Sequence, residues 1–156
     1  MISKKLSIEF LSKEFIKKVD ECWVASALVT EWAFELFQRN IPQGAKQHYL
    51  FGVHIVSSPN AWEKVFNCAV NNSNISVRIY SRSFFHPKLY IFLTDGKYVA
   101  FVGSGNFSEG GFAKNEELFI KTGDQDLCIA LIEWFTCHYD NGHDITVAFI
   151  ESCKNI

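Results

Sequence analysis

No stretch of these 156 residues approaches the about 20 consecutive apolar residues that a membrane-spanning helix requires, which argues against a helical span. The first turns carry lysines and glutamates in place of a continuous apolar stretch, so a secretory signal peptide is not expected. Net charge is small as well. Seventeen acidic against fifteen basic side chains leave −2 at pH 7, so there is no global basic field to hold a polyanion, and any such binding must rest on local charge. The five cysteines, Cys22, Cys68, Cys128, Cys137 and Cys153, are odd in number and lack paired spacing. That argues against a disulfide framework or a zinc site and for reduced thiols in a cytoplasmic protein. Internal repeats, low-complexity tracts and linkers are also missing, and a single domain over residues 1–156 is expected. Aromatic residues, by contrast, are plentiful: the 15 phenylalanines alone can furnish a substantial core.

Strand and helix patterns alternate along the chain. A helix is expected from Glu9 to Val19 on Phe10, Leu11, Phe15, Ile16 and Val19, with Lys4, Lys5, Lys13, Lys17 and Lys18 read as a solvated basic face. Trp23 to Val29 reads as a buried strand, Thr30 as the cap of a helix through Gln38, and Tyr49 to Val56 as a second strand. Ser58 and Pro59 open a helix, with Asn60 and Glu63 as a capping-box pair and Trp62, Val65, Phe66, Ala69 and Val70 at helical spacing. Ile75 to Tyr80 and Glu117 to Lys121 are further strands. Asp126 to Tyr139 is a helix with Leu127, Leu131, Trp134 and Phe135 as its apolar face, and Ile145 to Ile150 is a last strand or the start of a further element. The alternation predicts an α/β fold: a mixed, mainly parallel sheet flanked by helices on both faces.

The most informative residues are His86-Pro87-Lys88. A residue before proline is pushed out of the helical region, so His86 is extended, and residues two apart on an extended segment share a side. Leu89 to Leu93 and Tyr98 to Val102 are apolar on alternate and intervening positions alike, with Asp95-Gly96 between them as a hairpin turn. The return strand carries Gly103-Ser104-Gly105-Asn106 back to the end of the sheet that holds His86. Glu117 follows.

In this order, His86, Lys88, Ser104, Asn106 and Glu117 resemble the His-x-Lys … Gly-Ser-x-Asn … Glu signature of the phospholipase D superfamily, in particular its single-motif nuclease branch. The resemblance covers residues 78–121. It departs from the pattern in two places: Leu93 stands at the usual acidic position, with Asp95 the nearest acid, and the stretch from Lys88 to Gly103 is somewhat longer. The resemblance implies a phospholipase D/nuclease-like fold and a phosphohistidine intermediate. With one motif per chain, it also implies a homodimer in which two copies of His86 share one site, one attacking and the other protonating the leaving group.

The residue types suit that chemistry. A phosphodiester is an anion, and Lys88 with the Asn106 amide offers donors to its non-bridging oxygens. Ser104, between Gly103 and Gly105, adds a hydroxyl or a main-chain donor, and Arg82 adds local positive charge. Neutral imidazole is a good nucleophile, and Glu117 is the candidate to orient it. Catalytic roles are thus expected for His86, Lys88, Asn106 and Glu117, and substrate binding for Gly103, Ser104, Gly105 and Arg82. No metal or other cofactor is expected. His138, Asp140, His143 and Asp144 lie close in sequence, but Asn141-Gly142 between them reads as a turn after a helix. The expected activity is metal-independent cleavage of nucleic acid, DNA in preference to RNA, in a module of restriction or DNA-processing machinery, with no membrane partner. Two other readings stand beside it: a non-catalytic nucleic-acid-binding or dimerisation module, and a phosphatidyl-transferring enzyme.

Overall fold

The computed structural model describes the backbone of residues 2–4 and the whole of residues 15–155. Strands β1 (Ile2–Lys4), β2 (Glu21–Ser26), β3 (Lys46–Gly52), β4 (Ile75–Tyr80), β5 (Lys88–Thr94), β6 (Lys97–Gly103), β7 (Leu118–Thr122) and β8 (His143–Asp144) form one sheet. Its order is β1-β7-β6-β5-β2-β3-β4-β8. The helices are α1 (Glu31–Asn40), α2 (Pro59–Asn71), α3 (Gln125–Asp140) and α4 (Val147–Lys154). Each begins at a Ser, Thr or Asp whose side chain accepts an otherwise unpaired N–H of the first turn: Thr30, Ser58, Asp124 and Thr146.

The mixed α/β class agrees with the sequence pattern, but its expected mainly parallel character does not. Among the described strands β2 with β3 and β3 with β4 pair in parallel and the other pairings are antiparallel, and a lone parallel bridge joins Val29 to Phe107 outside them. Parallel neighbours need a crossover helix, which only α1 and α2 supply here. After β4 a helix-free loop, residues 81–87, carries the chain across the ends of β3 and β2 to enter β5 antiparallel to β2. The β5–β6 hairpin turns at Asp95 and Gly96, with φ of 51° and 74°, the left-handed pair that Asp-Gly favours.

Several boundaries differ from expectation. The strand expected at Tyr49 to Val56 runs from Lys46 to Gly52, and the cap of α2 is Ser58 alone, which displaces the Asn60 and Glu63 box. The Ile145 to Ile150 run is not a last strand; Thr146 caps it into α4, and Ile150 enters the core. Of the expected helix from Glu9 to Val19, residues 9–14 lie outside the described residues, as do Lys5 and Lys13. The remainder forms a short 3-10 turn over Ile16–Lys18.

Two cores flank the sheet. Beneath α1, α2 and α4 lies an aromatic layer in which Phe107 meets Phe37 edge-on at 4.8 Å and neighbours Tyr49, Phe51, Tyr90 and Phe112. Across the sheet, α3 packs Cys128 and Phe135 over Trp23, Ala25, Leu50, Leu89 and Ile91. Of the expected face of α3, Phe135 and Leu131 pack as expected, whereas Leu127 and Trp134 stay exposed, at 48% and 38%, and Cys128 is buried beside Phe135.

Candidate active site

The carboxyl ends of the parallel strands β2, β3 and β4 face a crevice, the usual place for a ligand in an open α/β sheet. The loop over residues 81–87 crosses that end. It can do so because β3 finishes in Gly52: a Cβ there would stand 2.8 Å from the Phe85 carbonyl and 2.9 Å from that of Ala27, so any side chain would push the loop outward. The loop is exposed from Ser81 to Phe84 and turns inward only at Phe85 before His86. Arg82, Phe84 and His86 are exposed, whereas Phe85 is buried against Tyr80 and Trp134.

His86 is solvent-exposed and Lys88 is only 6% exposed. The ammonium sits 2.8 Å from Nδ1 and 2.9 Å from Nε2 of His86, and donates to the His86 carbonyl at 3.0 Å. Nearly equal distances to the two ring nitrogens place the ammonium over the face of the imidazole, off the in-plane lone pair of either nitrogen. Burial pushes the Lys88 ammonium below the ordinary lysine value, and the Glu117 carboxylate acts against that shift. Lys88 thus lies against the imidazole and is bonded to the His86 carbonyl until a stronger acceptor, such as a phosphate oxygen, takes a hydrogen bond from the ammonium.

Lys88 opens β5 directly opposite Ser26, the last residue of β2. Ser26 is fully buried, and its hydroxyl donates to Asn106 Oδ1 at 3.3 Å while accepting the Phe107 N–H at 3.0 Å. The amide of Asn106 is held by its oxygen, which leaves its N–H groups to serve an anion. Phe107, buried in the aromatic layer, anchors the next residue. Tyr90 on β5 donates to the Gly105 carbonyl at 2.8 Å. Gly105 lies where a Cβ would meet the Gly111 carbonyl at 2.6 Å and the Phe119 ring at 2.7 Å. The glycine therefore admits neighbouring protein, rather than a ligand, at close range.

Glu117 is placed differently from the sequence expectation. Its Oε1 accepts from the Ser104 hydroxyl at 3.0 Å, and that hydroxyl also accepts the Leu118 N–H at 3.0 Å. Within one chain the carboxylate therefore holds Ser104 and bears electrostatically on Lys88, and it makes no hydrogen bond to the His86 ring. His86 and Lys88 are brought together, Asn106 is oriented by Ser26, Glu117 reaches the group through Ser104, and Arg82 stands at the rim. Sequence reasoning missed Ser26, because its partner lies 80 residues away and a serine ending a strand carries no signal of its own.

A cleft of about 310 Å³ opens beside His86 and Lys88, walled by Leu89, Val102, Gly103 and by Leu131 and Trp134 of α3. Its walls are mainly apolar. The sequence neighbours His138 and Asp144 do not converge: His138 Nδ1 donates to the Trp134 carbonyl and Asp144 pairs with Arg78. Among the described residues no helix is long and apolar enough to cross a membrane.

A mixed sheet whose strand ends gather an exposed histidine, a buried lysine and an asparagine in a glycine-flanked turn defines the phospholipase D-like class of α/β domains. The chain belongs to that family: residues 55–139 match the family described as cardiolipin synthase, PLD-like domain. The fold is shared with Nuc, a phospholipase D family member from Salmonella typhimurium, at TM-score 0.70 and 16% identity over 93% of this chain and 96% of that one. It is shared also with NucT from Helicobacter pylori, at TM-score 0.66 and 14% identity over 93% of this chain and 99% of that one. TrmBL2, an archaeal chromatin protein whose structure shows a mode of DNA binding, is similar at TM-score 0.62 and 11% identity, over 93% of this chain and 54% of that one. Among curated protein sequences there is no match.

Proposed function

We propose that this chain, as one domain over residues 1–156, is a metal-independent phosphodiesterase that cleaves nucleic acid, DNA in preference to RNA, at a site completed by two copies about a twofold axis. The observation that carries the reading is the exposed His86 imidazole with the buried Lys88 ammonium 2.8 Å away. In the first step a phosphate oxygen takes the Lys88 hydrogen bond and an imidazole nitrogen attacks phosphorus. The P–N bond forms, the bond to the leaving oxygen breaks, and His86 of the second copy donates a proton to that oxygen. In the second step the second histidine takes a proton from water, which attacks phosphorus and expels His86. Lys88 and the Asn106 amide hold the non-bridging oxygens throughout, and Glu117 balances the charge of Lys88 through space and fixes Ser104.

The exposed apolar surface supports association of two copies. Val102, Leu118 and Ile120 are 42%, 54% and 55% exposed on the sheet face that α3 leaves uncovered, and Leu127 and Trp134 of α3 are exposed as well. An apolar strip bordering a polar site on a small domain marks an interaction surface. Structural relatives, an archaeal chromatin protein with a mode of DNA binding among them, agree with nucleic acid as the substrate. The free cysteines, two of them buried, agree with a reducing cytoplasm. A module of restriction or DNA-processing machinery is the setting we favour.

Incubation with plasmid and oligonucleotides in excess EDTA tests the reading. Cleavage should survive EDTA and disappear in His86→Ala. Binding without cleavage by the unaltered protein would favour a non-catalytic module instead, and turnover of phosphatidyl substrates alone would favour a lipid enzyme.

A further inference from the structure

The loop that delivers His86 contains two adjacent phenylalanines, and the fold uses only one of them. Phe85 fills the space under α3, 5% exposed and stacked on Trp134 at 6.1 Å. Phe84 stands 61% exposed, its ring nearly parallel to the His86 imidazole at 18° and 5.3 Å between centroids. The His54 ring lies 5.9 Å away on a tilt, and Arg82, two residues earlier, is exposed on the same stretch. Leaving a large apolar ring in water beside the reacting group brings the fold no burial. One face of the ring meets His86, and its exposure leaves the rest open at the mouth of the site. A cation, a flat ring and the nucleophile thus follow one another along the loop as Arg82, Phe84 and His86.

Resting on the nuclease reading above, we propose that Phe84 is a stacking platform for the base adjoining the scissile phosphate, and that the site accordingly takes single-stranded nucleic acid in preference to duplex. Every base has a π-face that an aromatic ring can cover without reading its identity, and in a duplex that face is already taken by the neighbouring base pairs. A phosphate held by Lys88 brings an attached nucleotide to the rim where Phe84 lies. Only an unpaired base can then turn onto the ring. Arg82 would neutralise the adjacent phosphate, which supplies the local positive charge that a chain of net charge −2 lacks overall.

The test compares the unaltered protein with Phe84→Ala and Phe84→Tyr on three substrates: a single-stranded oligonucleotide, the same sequence as a blunt duplex, and a single strand of the same length carrying abasic residues throughout. The unaltered protein should favour the base-bearing single strand. Phe84→Ala should raise KM on it roughly ten- to hundredfold with kcat little changed, alter the abasic strand less than about twofold, and be rescued by Phe84→Tyr. Equal losses on abasic and base-bearing strands would make Phe84 a prop for the His86 ring and overturn the proposal. Equal cleavage of duplex and single strand by the unaltered protein would overturn it too, as would a change of sedimentation in Phe84→Ala, which would assign the ring to a subunit contact. Absence of cleavage of all three by the unaltered protein would instead remove the nuclease reading itself, and this proposal with it.

Discussion

Ser26 lies outside the motif yet holds one of its residues in place. Its hydroxyl holds Asn106 by Oδ1 and takes up the Phe107 N–H in a fully buried position. Ser26→Ala should lower kcat about tenfold with KM little changed, and should cost about 1–3 kcal/mol of stability because the Phe107 N–H loses its acceptor. A serine acting through Asn106 predicts more than that: in an Asn106→Ala background the further loss of kcat should vanish, and a double-mutant cycle read well below both melting temperatures checks it. Additive losses would mean that Ser26 serves the fold alone. Lys88 carries a pH signature. Burial lowers its folded-state value beneath the ordinary 10.5, so the unfolded chain holds the proton to higher pH than the folded one. In the window between those two values stability therefore rises with pH, whereas activity falls as the ammonium is lost. The alkaline limb of kcat/KM should lie below pH 10.5. Lys88→Met should abolish that limb, reduce kcat by about 10²–10³-fold and leave the melting temperature at neutral pH equal or higher, since a buried charge is replaced by an apolar chain. A collapsed melting curve would make Lys88 a structural residue.

At the scale of elements, local signals held where a residue type forces a backbone state. Thr30 caps α1, Pro59 opens α2, and Asp95-Gly96 turns the β5–β6 hairpin, each through a preference that acts over a few residues. Ile75–Tyr80 begins and ends where its alternation says. The Ile145 to Ile150 run misled because a short apolar stretch has no period of its own, and its helical state follows from the Thr146 cap and the burial of Ile150. The helix α3 misled differently. Its period was plain and Phe135 and Leu131 pack as expected, but the sheet buries Cys128 while Leu127 and Trp134 stay exposed. That exposed pair, with Val102, Leu118 and Ile120 on the neighbouring strands, is the surface assigned above to a second copy. Ile120→Lys places a charge on that strip at an exposed position, so folding should be nearly unaffected, within about 0.5 kcal/mol. Sedimentation should report a monomer and cleavage should fall with it. A dimer of full activity would move the contact elsewhere on the molecule.

For the whole molecule, the question is whether one site needs two imidazoles. Tagged wild-type chains mixed at equal proportion with His86→Ala and allowed to reassort should retain about a quarter of the activity of an all-wild-type sample at the same total protein, since only pairs of intact chains work. Independent sites would retain about half. The pairing of His86 with Lys88 was legible in the sequence, because His86-Pro87-Lys88 sets its geometry locally and Asp95-Gly96 returns the chain to the same end of the sheet.

The amino-acid order alone determined the α/β class, the helix starts at Thr30 and Ser58 and the Asp-Gly hairpin, all properties of nearest neighbours and short periods, while its resemblance to the phospholipase D pattern singled out His86, Lys88, Ser104, Asn106 and Glu117. Only the tertiary structure decided that the sheet is predominantly antiparallel, that Ser26 steadies Asn106 and that Glu117 faces Ser104 rather than the imidazole. It also decided which of two phenylalanines stays in water. Those are contacts between distant segments, and they are settled by which surfaces the packed core leaves room to bury.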